Sequence, residues 1–494
     1  MHADRRKQAA QFAIAADLQH GAIERSPGST ELSGLVFAHA GPQKRFHHVQ
    51  RPFMADRVVT LRRPPQHNSG HSPRHVENVE RLIAIKPADS GGAKRYKVND
   101  AARGQLLHGL AHGIAKKVET FVRTEVLPYE QDPRAHDGHG PSDELVAEMR
   151  GKAKAAGVLT PHILPDGSHL TQRETATVLI RTGLSPLGTL ACNTMAPDEG
   201  NMYLLGHKGS PEQKERFLKP LIDGSARSAF LMTEPASEGG AGSDPSMMKT
   251  SCKQDGNHWV INGRKRFITG YQGARVGIVM AKSEDGACMF LVDLPDPAIT
   301  VDAVPHTIDS SMPGGHATLT IRDLRVPADQ MLGKSGDGFK YAQVRLSPAR
   351  LSHCMRWLGG CIRSHQIATD YACRREAFGK ALIDHEGVGF MLAENKILIQ
   401  QCELMIDWCA SVLDTGELGT VESSMAKVAV SEALMKIADN CVQIMGGTGV
   451  TGDTIVEQIF REVRAFRIYD GPTEVHIWSL AKRIKREWKQ GQEA

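Results

Sequence analysis

The spacing of apolar residues changes period twice along this chain, and that pattern restricts the fold more than any other feature. From about Gln105, residues Leu106, Leu107, Leu110, Ile114, Val118, Phe121 and Val122 recur at three- and four-residue steps until Pro128. This is the spacing of a helix that buries one face. Further helices are expected over 142–156, 172–183 and 211–223, the last with Pro211 suited to a first turn. Near Ser228 the period shortens. Runs at 258–261, 264–269, 276–281, 288–293, 299–304 and 317–322 are short and rich in β-branched or aromatic residues, and Asn262-Gly263 between two of them reads as a hairpin turn. After Gly338 the helical step returns in long seams: Leu351, Cys354, Leu358, Cys361; then Met391, Leu398, Cys402, Met405, Cys409; then Val430, Leu434, Ile437, Cys441. Such seams pack as an antiparallel helical bundle. The expected fold class is therefore α+β multidomain: an N-terminal helical domain at 104–228, a middle antiparallel β domain at 229–335, and a C-terminal bundle at 336–490.

Charge sets the front of the chain apart. Residues 1–95 hold 15 Lys+Arg against 8 Asp+Glu, eight histidines and seven prolines, but no Cys, Trp or Tyr. Such a segment cannot build a core of its own, so it is expected to be a disordered or non-native extension. A nucleic-acid arm is disfavoured because its basic tracts lack interleaved aromatics, and acidic residues such as Asp4, Asp17, Glu24 and Glu31 spoil an organellar leader. All nine cysteines lie at or after Cys192 without a C-x-x-C pair. Reduced core thiols in a cytosol-like compartment are expected, with no metal site. Gly 48 and Pro 25 exclude collagen-like and low-complexity chains of this length, and no apolar run approaches a membrane span.

Several short motifs carry possible chemistry. Gly333-Lys334-Ser335 ends like a phosphate loop, but Ala328 stands where the first glycine is needed. Gly447 to Gly452 matches G-x-G-x-x-G yet follows a helical seam instead of a strand, which argues against a Rossmann fold. Thr233-Glu234-Pro235 follows an apolar strand and leads to Gly240-Ala241-Gly242-Ser243-Asp244-Pro245. This is a surface turn, or a set of free N–H groups facing a heterocycle or pyrophosphate. Arg350 falls early in a helix and Arg375 at its end, beside Phe378-Gly379-Lys380. Tyr469-Asp470-Gly471-Pro472-Thr473 precedes the last helix, where Asp470 is a cap or a base.

Taken in order, the TEP strand end, the GAGSDP loop, Phe267-Ile268-Thr269, Arg350, Arg375 with Phe378-Gly379-Lys380, Gln443 to Gly447 and Tyr469 to Pro472 resemble the acyl-CoA dehydrogenase superfamily over about 104–490. The resemblance implies a C-terminal four-helix bundle, FAD as cofactor, a homodimer or homotetramer, and electron-transfer flavoprotein as electron acceptor. It places Met232, Thr233, Phe267 and Thr269 around the flavin ring, with Thr269 near N5, and Pro472 and Glu474 also on the cofactor. Arg375, Phe378, Gln443, Gly446 and Gly447 would reach a neighbouring subunit's FAD. Ser243, Arg350 and Gly471 would meet the acyl-CoA.

Asp470 stands at the position of the catalytic carboxylate, usually glutamate, and resembles one branch of the superfamily. Its role would be to remove the α proton of an acyl thioester while a hydride leaves the β carbon, in a site dry enough to raise its pKa. Three positions depart from most relatives: Ser347 replaces aspartate, Phe267 replaces tryptophan, and Ala236 to Gly239 lengthen the TEP loop. Two alternatives keep the fold: an acyl-CoA oxidase or related oxygen-using flavoenzyme, and a non-catalytic CoA-binding scaffold.

Overall fold

Hydroxyl caps start the helices where sequence places them. Ser142 Oγ accepts from the Leu145 N–H ahead of α2 (Asp143–Ala155), and Thr171 with Glu174 closes a reciprocal capping box ahead of α3 (Gln172–Thr182). The computed structural model describes residues 100–493, with side chains from Gly109 to Gln492. The expectation for residues 1–95 lies outside the described residues. Helix α1 (Asp100–Phe121) continues through a π turn at Val122–Val126 into a 3-10 turn at Leu127–Gln131 that takes Pro128 in its first turn. Two helices carry too little periodicity to be foreseen: α4 (Pro186–Ala191) and α5 (Asp198–Lys208). The expected helix at 211–223 is two short α segments around a π turn, Lys214–Leu218.

Seven strands follow: β1 (Ser228–Leu231), β2 (Ser251–Asp255), β3 (His258–Thr269), β4 (Val276–Ser283), β5 (Gly286–Asp293), β6 (Ile299–Ala303) and β7 (His316–Pro327). Their order is β1-β4-β2-β3-β7-β6, with β5 added on β4. The sheet is antiparallel except that β1 and the start of β2 run parallel to β4, which corrects the purely antiparallel expectation. The Asn262-Gly263 hairpin is also corrected. Both residues lie inside the single strand β3, because Asn262 bonds Asp323 on β7 in both directions, at 3.0 and 2.8 Å, and a Cβ on Gly263 would strike Thr250. The hairpin turn falls between β2 and β3 instead.

The bundle is built on α6 (Gly338–Arg374), 37 residues with Pro348 inside, or about 55 Å at the α-helical rise. A small ribbon of β8 (Glu376–Ala377) and β9 (Lys380–Ala381) follows. Then come α7 (Glu386–Asp414), α8 (Thr420–Met445), α9 (Val456–Phe466) and α10 (Thr473–Glu493). Val118, Leu145 and Leu179 of the front helices share one continuous core with Leu358, Ile406, Leu434 and Val463 of the bundle. One face of the sheet closes on α5 and the start of α6 through Met202, Met280, Leu291 and Leu346. Cys192, Cys354, Cys361, Cys402, Cys409 and Cys441 are buried in the helical core and Cys252 and Cys288 in the sheet, while Cys373 is exposed. Among the described residues no helix is long and apolar enough to cross a membrane.

Candidate functional site

The turn between α9 and α10 sets Asp470 in the left-handed region, at φ +56°, followed by Gly471 at φ +103°. A Cβ on Gly471 would stand 2.6 Å from His476 Nε2, so both backbone and space require glycine there. Three basic side chains hold this turn by its carbonyls. Arg350 Nε donates to the Asp470 carbonyl at 2.9 Å, His476 Nε2 lies 3.2 Å from the same oxygen, and Lys427 Nζ donates to the Gly471 carbonyl at 2.7 Å. Burial lowers Lys427 to a pKa of about 8. A non-glycine residue kept at positive φ costs on the order of 1 kcal/mol or more, and it persists here because the surroundings over-determine it.

The Asp470 side chain turns inward. Its Oδ2 is buried without a hydrogen-bond partner, 3.4 Å from His353 Nε2. Burial alone would raise the carboxyl pKa, but His353, Arg345 and Arg350 outweigh it and hold Asp470 well below the usual carboxylate range. This reverses the expected raised pKa, because the dry pocket is also cationic.

Behind Asp470 lies a polar chain that periodicity did not reveal. Arg356 Nη2 faces His353 Nδ1 at 3.1 Å, and since a guanidinium can only donate, the proton of neutral His353 sits on Nε2, toward Asp470. Arg356 Nη1 donates to the Thr194 carbonyl at 2.9 Å and lies 3.7 Å from Glu199 Oε2, which also accepts from Ser352 Oγ at 2.5 Å. Arg345 donates to Asn201 Oδ1 at 2.7 Å, and Asn201 in turn to Ser228 Oγ at 2.8 Å, tying α6 to α5 and β1. One ligand atom each from His162, His169 and Glu199 lie within 4.8 Å of one another. A single zinc-sized ion spans at most about 4.2 Å between donors, and the Arg356 charge beside Glu199 opposes a cation there.

On the sheet side, Thr233 and Arg266 are joined by two bonds: Thr233 Oγ1 to the Arg266 carbonyl at 2.5 Å and Arg266 N–H to the Thr233 carbonyl at 2.9 Å. Phe267 follows at φ +59° in a register shift of β3 against β7, and the residue is 54% exposed. Thr269 Oγ1 lies 2.9 Å from His316 Nδ1. The TEP loop owes its shape to Glu234, buried with Lys265 at 3.1 Å. Its carboxylate also accepts from the N–H groups of Ala241, Lys249 and Thr250 at 3.2, 2.8 and 2.9 Å. Burial works to raise Glu234, yet Lys265 and these donors hold it at about 2, while burial lowers Lys265 to about 8. The Met232 carbonyl accepts from Lys265 Nζ at 3.0 Å.

The structure brings Ser243 and Glu474 together: with Asp244, Pro245, Val475 and Trp478 they line a cavity of about 430 Å3 where the glycine loop meets α10. Pro472 opens that helix. Arg350 is in the fourth turn of α6, not an early one, because the helix begins at Gly338. Arg375, Phe378, Gln443, Gly446 and Gly447 stand elsewhere, all exposed in the single chain, with Phe378 96% exposed at φ +53°. Ser347 is buried.

His353, Arg356, Glu199, Lys427, His316 and Lys265 were missed by sequence reasoning, as was the pairing of Glu234 with Lys265. The available signal was the spacing of Arg350, His353 and Trp357 on one face of α6.

Three family models match: acyl-CoA dehydrogenase N-terminal domain at 111–225, middle domain at 229–320 and C-terminal domain at 336–485. Acyl-CoA dehydrogenase family member 11 of Gallus gallus is 34% identical over 81% of this chain and 54% of its own length. The chain spans about half the length of the curated relatives of that name that it matches. FadE2 of Mycobacterium tuberculosis, named as a probable acyl-CoA dehydrogenase, is 34% identical over 70% of this chain and 88% of its own. A solved Mycobacterium abscessus structure named for the same family is 33% identical, with a TM-score of 0.70 over 76% of this chain and 98% of that one. With all three domains matched in order and FadE2 covered almost throughout, this chain belongs to the acyl-CoA dehydrogenase family.

Proposed function

We propose that this chain catalyses the α,β-dehydrogenation of an acyl-CoA thioester with bound FAD, giving a trans-2-enoyl-CoA, and that Asp470 is the base. The observation that carries the reading is Asp470 Oδ2, a buried carboxylate oxygen without a hydrogen-bond partner, fixed on a left-handed turn among Arg345, Arg350 and His353.

The residues present suit FAD. Phe267 is presented outward by its strained bulge, Thr233 bonds the preceding Arg266, Thr269 lies two residues on, and a Cβ built on Gly446 or Gly447 meets nothing within 4 Å, leaving open backbone. Met232, Thr233, Phe267 and Thr269 would hold the ring; Pro472 and Glu474 would also contact the cofactor. Arg375, Phe378, Gln443, Gly446 and Gly447 would hold the distant half of a neighbouring subunit's FAD, so a homodimer or homotetramer belongs to the proposal. Bound FAD supplies the acceptor for the hydride leaving the β carbon.

The protein's part is the proton. Its cationic neighbours keep Asp470 ionised, so it meets the substrate in basic form, and it takes the α proton onto its carboxylate. A carboxylate this weakly basic needs an acidified substrate. The Asp470 backbone N–H is the donor this chain offers to the thioester oxygen, an interaction worth about 3 kcal/mol when well aimed. Ser243, Arg350 and Gly471 would position the CoA ester. Electron-transfer flavoprotein is the proposed acceptor for the stored electrons.

The test is a spectrum of the purified yellow protein before and after saturated acyl-CoAs of graded length. At least one should bleach the flavin, and Asp470→Asn should keep the colour and lose the bleaching. An Asn variant that bleached at the normal rate would show that the base lies elsewhere.

A further inference from the structure

Beside Thr269 stands a second relay that the dehydrogenation reading leaves unused. β3 and β7 pair so that Thr269 lies directly across from His316. Thr269 Oγ1 is 2.9 Å from His316 Nδ1, and His316 Nε2 is 2.9 Å from Asp309 Oδ2. Asp309 is mostly buried, its side chain 7% exposed and that of His316 12%. Burial would push the Asp309 carboxyl up, but the His316 and Thr307 contacts bring it below its ordinary value, so it stays ionised and can only accept. Asp309 therefore draws a ring N–H to Nε2, and with a single ring proton Nδ1 offers a lone pair. Thr269 must donate its hydroxyl hydrogen to it, and turns oxygen lone pairs toward its other neighbours. Next to this group, Arg461 donates to the Ile308 carbonyl and to Ser310 Oγ at 2.8 and 2.9 Å, and buried Glu462 accepts from the Ser310 N–H at 2.8 Å. These contacts fix the loop that carries Asp309.

We propose that His316, oriented by Asp309, is a positioning residue that makes the Thr269 hydroxyl an acceptor toward flavin N5. The inference rests on the proposed function, in which Thr269 stands beside N5. Oxidised flavin has a bare N5 that accepts a hydrogen bond; reduced flavin has an N–H there that donates. A Thr269 oxygen whose hydrogen is committed to His316 stabilises the reduced form and raises the flavin potential. The relay thus favours electron uptake from substrate without touching substrate or flavin through His316 itself.

The experiment measures the flavin midpoint potential of the full chain by dye equilibration, with no acyl-CoA present. His316→Leu releases the Thr269 hydrogen to donate to oxidised N5, so the potential should fall. The expected size is about tenfold in the reduced-to-oxidised ratio, or about 30 mV for a two-electron couple. Asp309→Asn, whose amide can donate to Nε2 and drive the ring proton to Nδ1, should produce the same fall. His316→Asn, which can present an acceptor near the Nδ1 position, should stay near the wild-type value. In a Thr269→Val background, His316→Leu should cause no further change, since the hydroxyl it acts through is gone. A potential that did not move, that rose, or that fell equally in the Val background would overturn the proposal. A colourless chain that cannot take up FAD would overturn both this inference and the dehydrogenase reading; a yellow chain with an unmoved potential would overturn this inference alone.

Discussion

His353 presents Nε2 to Asp470 Oδ2 at 3.4 Å because Arg356 occupies its other nitrogen at 3.1 Å. The imidazole is buried, and burial together with the Arg356 charge lowers its pKa. It is therefore neutral, and its one N–H can point only toward the Asp470 carboxylate.

Replacing His353 by Leu removes that N–H from beside the carboxylate. Turnover should fall about tenfold, the scale of one hydrogen bond to a charged group, about 1.5 kcal/mol, with KM little changed. The acid limb of the rate profile should move to higher pH, because a carboxylate without a donor is easier to protonate. His353→Gln keeps an N–H at similar reach and should recover most of the rate. Stopped-flow flavin reduction across pH separates these outcomes from simple loss of folding, which would shift no limb.

Gly471→Ala should be poorly tolerated. Its backbone lies at φ +103° and the new methyl would fall 2.6 Å from His476 Nε2. A cost of about 1 to 3 kcal/mol is expected, together with displacement of the Asp470 carbonyl from Arg350. A lower thermal midpoint accompanied by slower bleaching checks it; unchanged values for both would show that the turn is looser than described.

The Glu234–Lys265 pair should reveal itself by asymmetry. Lys265→Met leaves a buried carboxylate without its cation and should cost about 3 to 5 kcal/mol. Glu234→Gln turns an amide N–H toward backbone donors and should also destabilise. The double variant should cost less than the sum of the two. Chemical denaturation of all three against the wild type decides the matter.

Glu462 is expected to make the protein less stable as pH rises. Burial, with Asp309 adding to it, raises its carboxyl to about 7, against an ordinary value of 4.5. Between these values the unfolded chain ionises first, so stability is highest below about 4.5 and is lost on the way to 7. The full effect is about 3 kcal/mol. Glu462→Gln keeps an acceptor for the Ser310 N–H and should flatten the dependence of the thermal midpoint between pH 5 and 8, while the wild type declines.

The order of helical and sheet regions could be read from the chain because each period reflects a local choice of which face is buried. The Asn262-Gly263 reading failed for a non-local reason. Asn262 finds its partner in Asp323, and Gly263 is required by its packing on Thr250, so β3 runs straight through a pair that ordinarily turns. The short helices α4 and α5 were invisible for a related reason, since every residue of α4 is buried and α5 buries Asp198, Glu199 and Asn201 along with its apolar residues, so no polar face marks the period.

At the site, Asp470 could be singled out from its neighbours in sequence, and Ser243 and Glu474 do meet across one cavity. What sequence did not disclose is the electrostatic setting. Arg345, Arg350, His353, Lys427 and His476 come from three helices and converge on one turn, and Arg345, Arg350 and His353 reverse the pKa shift that a dry pocket alone would produce.

By itself, then, the amino-acid sequence determined most element types and their order, because hydrophobic periods and turn chemistry act over a few residues, while Asp470 as the acid was read from the family resemblance. The tertiary structure alone decided the tautomer of His353, the pairing of Thr269 with His316 and the protonation state of Asp470. Each of these depends on which distant donor or charge is brought within about 4 Å, and local sequence holds no record of that distance.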